Sequence, residues 1–161
     1  MIRGIHHVAL LTPEFDRLLA FYRDVVGGEV VFEHEWDEAK GDELSILGRV
    51  TGIPGKPRLR SAILRLGNAF IEIQQYREPQ GHGETEERPP QDFGIRHFAL
   101  DVVGIEAEVE RLTAGGMRFV GPVQQPGARL KSIYGRDPDG NIVEVQEIVD
   151  STSPLALDGQ G

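Results

Sequence analysis

The sequence predicts an α+β fold made of two βαβββ modules. Two observations carry this: strand-like segments that recur along the chain, and one amphipathic helical segment inside each copy. Ile5-His6-His7-Val8-Ala9-Leu10 reads against Ile95-Arg96-His97-Phe98-Ala99-Leu100, at an offset of 90 (95 − 5) with four of six residues identical. Ala69-Phe70-Ile71-Glu72-Ile73-Gln74-Gln75 reads against Asn141-Ile142-Val143-Glu144-Val145-Gln146-Glu147. A Gly-Asn turn, Gly67-Asn68 or Gly140-Asn141, leads into each of these later segments, and the offset differs by one residue between turn and glutamate, as a bulge would produce.

Each element follows in order. The first strand runs through the Ile5 segment. A helix follows: Thr12 is placed to cap it, Pro13 suits its first turn, Phe15, Leu18, Leu19, Tyr22 and Val25 form one apolar stripe, and Gly27-Gly28 ends it. Glu29 to Trp36, Leu59 to Leu66 and Ala69 to Tyr76 read as the remaining strands of module one. Module two repeats the pattern. Its helix is marked by Ile105, Val109 and Leu112 and closed by Gly115-Gly116, and its strands by Met117 to Val123, Leu130 to Tyr134 and Asn141 to Ile148. His7 to Glu72 spans 65 positions and His97 to Glu144 spans 47, so module one is longer by 65 − 47 = 18. The surplus falls in a loop around Ala39 to Arg58, with one short helix expected near Glu43 to Val50. A single domain of 1–150 is expected, with module one at 1–78, a Pro- and Gly-rich linker at 79–93 and module two at 94–149. Residues 151–161 lack periodicity and are expected to be a disordered tail.

Composition narrows the function classes. The formal charge of −9 argues against nucleic acid or an anionic membrane as the main partner. With no cysteine, disulfides, thiolate metal sites and cysteine nucleophiles are excluded. No apolar run is long enough to span a membrane, and the N-terminus lacks a signal-peptide layout, so a cytoplasmic location is expected.

Side chains alternate along a strand. His7 therefore shares a face with Ile5, Ala9 and Leu11, His97 with Ile95, Ala99 and Asp101, Glu72 with Phe70, Gln74 and Tyr76, and Glu144 with Ile142 and Gln146. The opposite faces (Val8, Leu10, Phe98, Leu100, Ile71, Ile73, Val143, Val145) are more uniformly apolar and suit packing under the helices. Sheets that curve so that the mixed faces meet bring two imidazoles and two carboxylates together. Two buried carboxylates repel and are costly to desolvate, and a divalent cation resolves both problems. The expected fold is thus a curved, partly open mixed sheet around a metal-binding cavity, with helices outside. His7, Glu72, His97 and Glu144 are the expected ligands of one divalent ion. Nitrogen and oxygen donors suit Zn, Ni, Co, Mn or Fe and leave up to two positions for substrate oxygens.

These residues resemble the vicinal-oxygen-chelate superfamily, which includes glyoxalases, bleomycin resistance proteins and extradiol dioxygenases. The resemblance covers about Ile5 to Ile148. It is carried by Ile5-His6-His7-Val8-Ala9-Leu10, by Phe21-Tyr22-Arg23-Asp24-Val25-Val26-Gly27, and by Arg136-Asp137-Pro138-Asp139-Gly140-Asn141-Ile142-Val143-Glu144. It places the ligands on His7, Glu72, His97 and Glu144 and leaves out His6, which alternation puts on the other face. A His, Glu, His, Glu set resembles bacterial-type glyoxalase I, and epimerases are similar. The resemblance implies a homodimer, with the site within one chain or across two.

The chemistry expected is proton transfer on a small-molecule substrate that chelates through vicinal oxygens, by way of an enediolate or enolate, as a glyoxalase-like lyase or isomerase does. Glu144 and Glu72 are the candidate bases, and sequence does not rank them. The alternatives are an Fe(II) extradiol-type dioxygenase and a non-catalytic small-molecule or antibiotic-binding resistance protein. Gln74, Gln146, Tyr76 and Asp101 are candidates to support the site, Tyr134 to reach a substrate, Glu43 to supply an extra acid, and Arg96 and Arg136 to attract an anion. His34 is expected on a strand surface and His82 in solvent.

Overall fold

The computed structural model describes residues 1–36, 44–83 and 87–157. The chain divides into two compact units, Met1–Gly83 and Glu84–Gly161. The first contains strand β1 (His7–Leu11), helix α1 (Phe15–Ala20), strand β2 (Glu29–Trp36), helix α2 (Leu44–Thr51), and strands β3 (Arg58–Leu66) and β4 (Ala69–Glu78). The second contains β5 (His97–Asp101), α3 (Ile105–Ala114), β6 (Arg118–Phe119), β7 (Leu130–Arg136) and β8 (Ile142–Ile148). Each unit is βαβββ with one four-stranded sheet, ordered β1-β4-β3-β2 in the first and β5-β8-β7-β6 in the second. The first strand of each unit pairs parallel with its last, and the other pairings are antiparallel. The sheets are therefore mixed and open, as the α+β reading requires.

The apolar faces are buried as alternation demands. Leu10, Ile71, Ile73 and Leu64 lie in the first core with Phe15, Leu18, Leu19 and Tyr22 from the helical segment. Val143, Val145 and Ile133 lie in the second with Ile105 and Leu112 from α3. The α1 segment continues as a π-helical turn, Phe21–Val25, closed by Val26 N–H donating to Phe21 O. Gly27 then takes φ +95°, and a Cβ on Gly28 would lie 3.1 Å from Tyr22 O and Leu64 Cδ2. The glycine pair therefore lets the chain reverse hard against β3. Thr12 Oγ1 accepts the Glu14 N–H at 2.9 Å, so it organises the entry turn rather than capping α1 itself. Glu147 supplies the cap of α3, accepting from Gly104 and Ile105 N–H at 2.8 and 3.3 Å.

Four expectations are corrected. Ile5 and Ile95 precede their strands and are exposed, the ladders pairing first at His7 with Phe70 and at His97 with Ile142. Met117 to Val123 yields only the two-residue β6, since Gly121-Pro122 removes a donor and breaks the ladder. The extra residue of the second turn is no strand bulge. Gly67-Asn68 joins Leu66 directly to Ala69, whereas five residues, Asp137 to Asn141, join Arg136 to Ile142. Much of the linker belongs to the second unit: Arg136 and Arg96 both donate to Arg88 O, and Glu87 pairs with Arg118 and Arg136. Arg96 and Arg136 are thereby structural.

Buried Asp137 organises the second turn, accepting from Asp139 N–H, Asn141 N–H and Asn141 Nδ2 at 2.9–3.0 Å. Asp137→Ala is expected to cost about 3 kcal/mol in urea unfolding, as charged, buried acceptors do. A loss below about 0.5 kcal/mol would contradict that role. The hydrogen bond from Arg118 holds the Glu87 carboxyl below its ordinary pKa, opposed by partial desolvation and helped by the charges of Arg118 and Arg136. A depressed folded-state pKa contributes stability above the unfolded glutamate value, and this is lost as pH falls through the folded one. The stability gap between wild type and Glu87→Gln is thus expected near pH 6 and should narrow as pH falls through and below the ordinary glutamate range. A gap independent of pH would refute it.

Candidate functional site

Parallel pairing places the expected ligands. In the first unit Ala9 lies opposite Glu72 and His7 opposite Phe70, so His7 and Glu72 are diagonal neighbours on one face. In the second, Ala99 lies opposite Glu144 and His97 opposite Ile142, the same diagonal. Alanine directly across from each glutamate leaves room for its carboxylate to lean toward the histidine. His7 Nε2 lies 3.3 Å from Glu72 Oε2, and His97 Nε2 lies 3.3 Å from Glu144 Oε2. The imidazoles are 39% and 37% exposed and the carboxylates 15% and 16%. Each acid is thus largely withdrawn from water while its imidazole partner stays reachable.

That spacing suits two ligands of one ion. Donor atoms about 2.0–2.2 Å from a shared ion lie about 3.0 Å apart at a right angle and about 3.4 Å apart at the tetrahedral angle. The structure brings these groups into two pairs, one in each unit, and among the described residues no three His, Asp or Glu side chains cluster as a metal site.

The surroundings of the pairs differ. Buried Ser61, on β3, donates its hydroxyl to Glu72 Oε1 at 2.7 Å. The two-residue turn at Gly67-Asn68 sets the register that puts Ser61 opposite Gln74, one diagonal from Glu72. That register was readable from the turn, but the role of Ser61 was missed. Alternation puts His6 on the other face, yet its Nδ1 lies 2.9 Å from His7 Nδ1, because His6 precedes the strand and alternation does not bind it. Tyr134 lies directly opposite Glu144, with its hydroxyl 3.5 Å from His97 Nε2. Burial, and secondarily the Glu144 charge, raise its pKa, so it stays a neutral donor at physiological pH. Burial and then Glu72 do the same for Tyr76.

His34 is not a surface residue. It is half-buried between the rings of Phe32 and Trp36 and lies opposite Ser61 in the ladder, on the Glu72 face. Trp36 and Tyr76 pack against Leu47 of α2 and Leu59, so the insert covers one end of that face. Gln74 and Gln146 accept Thr12 and Val102 N–H through their backbone carbonyls, Asp101 is exposed, as is His82, and Glu43 lies outside the described residues.

Comparison with known proteins decides the family. Residues 4–145 match the profile of the Glyoxalase/Bleomycin resistance protein/Dioxygenase superfamily. The chain belongs to this superfamily. Two curated relatives are similar: a 2-epi-5-epi-valiolone epimerase from Actinomyces sp., 30% identical over 88% of this chain and 78% of that protein, and the uncharacterised protein YaeR of Escherichia coli (strain K12), 25% identical over 91% and 97%. Among solved structures, a glyoxalase family protein from Bacillus cereus shares the superfamily fold at TM-score 0.80 and 22% identity, covering 93% of this chain and 97% of that one. A mutant of the fosfomycin resistance protein FosX from Listeria monocytogenes, complexed with Mn(II) and 1S,2S-dihydroxypropylphosphonic acid, does so at TM-score 0.57 and 18% identity, covering 90% and 92%.

The Ser61–Glu72 bond is expected to be energetically coupled. A double-mutant cycle of Ser61→Ala and Glu72→Ala should return about 1–2 kcal/mol in unfolding free energy, and strict additivity would show that the bond contributes nothing.

Proposed function

We propose that this chain is a divalent-metal-dependent isomerase-type enzyme that moves a proton on a small substrate chelating through two neighbouring oxygens. One observation carries the reading: the same histidine–carboxylate diagonal, at the same 3.3 Å, on the first and last strands of both units. His7, Glu72, His97 and Glu144 would hold one ion, whose identity among Zn, Ni, Co, Mn and Fe the donor set leaves open. Bound there, a divalent ion polarises a carbonyl and acidifies the adjacent C–H. The superfamily and the epimerase relative support this class of chemistry.

The chain's own groups divide the work unequally. Glu72 is tethered through Ser61 and is the fixed ligand. Glu144 carries no such tether among the described residues, so it is the acid free to swing toward a substrate carbon, take its proton and return it. Tyr134, neutral and beside His97, donates to a substrate oxygen and orients it.

The test combines metal content with exchange chemistry. Chelator-stripped protein, reconstituted with each ion in turn, is expected to hold about one ion per chain and to catalyse metal-dependent deuterium uptake by 2-hydroxy carbonyl or acyl-CoA compounds. Glu144→Gln should lower exchange about a hundredfold or more with the fold retained by circular dichroism. Metal below about a tenth of an ion per chain would sink the proposal. So would oxygen uptake with catechols in place of proton exchange.

A further inference from the structure

His6 and His7 face each other through like atoms. Their Nδ1 atoms are 2.9 Å apart, with the rings edge to face at 5.2 Å. Two bare nitrogens at that distance repel, and so do two protonated ones. One proton must lie between them, given by one ring and accepted by the other. His6 is not free to turn away. Its ring stacks on Phe70 at 4.8 Å and 17°, and its carbonyl accepts Phe70 N–H at 3.3 Å. Phe70 in turn stands opposite His7 on β4, two residues before Glu72. The ring is thus seated by the same strand that presents the carboxylate.

Building on the metal reading above, we infer that His6 is a positioning residue that sets the tautomer and ring plane of His7 by accepting a hydrogen bond from its Nδ1–H. His7 Nε2 lies 3.3 Å from Glu72 Oε2. When that nitrogen serves as a ligand atom it must be bare, so the neutral ring carries its proton at Nδ1 and donates it to His6 Nδ1. His6, exposed, then carries its own proton at Nε2. An acceptor on the far nitrogen raises the basicity of a ligating imidazole and fixes its plane.

The second unit shows that this is no automatic result of the repeat. Arg96 occupies the His6 position and donates to Arg88 O at 3.2 Å, and Ile142 stands where Phe70 does. The His97 ring instead lies 4.9 Å from Tyr134. Each imidazole is held by a different device, and among the described residues only His7 has a second imidazole against its Nδ1.

The test uses Zn²⁺ alone with ¹⁵N-histidine-labelled full-length protein. Long-range imidazole spectra are expected to show His7 protonated at Nδ1 and His6 at Nε2 in the Zn²⁺ form. His6→Phe keeps an aromatic ring against Phe70 but loses the acceptor, and is expected to weaken Zn²⁺ binding about tenfold by calorimetry. His6→Gln, whose amide oxygen can accept, should recover most of that loss. Zn²⁺ affinity of His6→Phe equal to wild type, or His6 protonated at Nδ1 in the Zn²⁺ form, overturns the inference while leaving the metal reading intact. Wild-type protein that takes up no Zn²⁺ or other divalent ion overturns both.

Discussion

The parallel pairing of first and last strands is the constraint on which the site depends. Parallel neighbours in one sheet need a long crossover, and here each crossover contains two antiparallel strands and a helix, with α2 as a second helix in the first unit. The result brings residues about 65 or 47 positions apart onto adjacent strands at a fixed diagonal. A one-residue slip in either ladder would turn the glutamate to the opposite face, into the apolar core. That core resists the slip: Leu10, Ile71 and Ile73 in the first unit and Val143 and Val145 in the second are buried on the other side of the same strands. Burial of one face therefore sets the chemistry of the other.

Much of this was legible in the chain. The repeat announced itself through the Ile-x-His segments and the x-Glu-x-Gln segments, and period-two alternation marked the faces of β4 and β8 that are buried under the helices. β2 came out at its observed ends, Glu29 and Trp36, and α2 within a residue, because the former alternates strongly and the latter sits alone among Gly and Pro. Strand ends were less legible. Ile5 and Ile95 look like strand residues locally, but pairing needs a partner, and the turns before β4 and β8 decide where the partner begins. The π-helical turn at Phe21–Val25 left no mark, since it follows from packing under β3 rather than from any residue type.

The supports around the site were the least legible part. Ser61, His6 and Glu147 act through neighbours distant in sequence or through backbone that leaves the regular strand path. Arg96 and Arg136 were the reverse case. Their charge suits an anion attractor, yet both donate to one backbone carbonyl, Arg88 O, and Arg136 also to Gly140 O with Glu87 beside it. A charged side chain near a site is often there to hold a segment in place, and only its partners reveal which task it has.

The two alanines opposite the glutamates carry a wider meaning. They are identical in both copies, whereas the residues bracing each histidine and each acid have diverged. A tandem duplication makes such divergence possible. In a symmetric pair of single modules, every substitution would be felt twice, and a hydroxyl anchoring one acid would anchor the other. Fused copies can stiffen one arm and slacken the other. Both copies share the histidine–glutamate diagonal, while its bracing is lopsided: a serine hydroxyl holds one acid and a tyrosine stands across from the other.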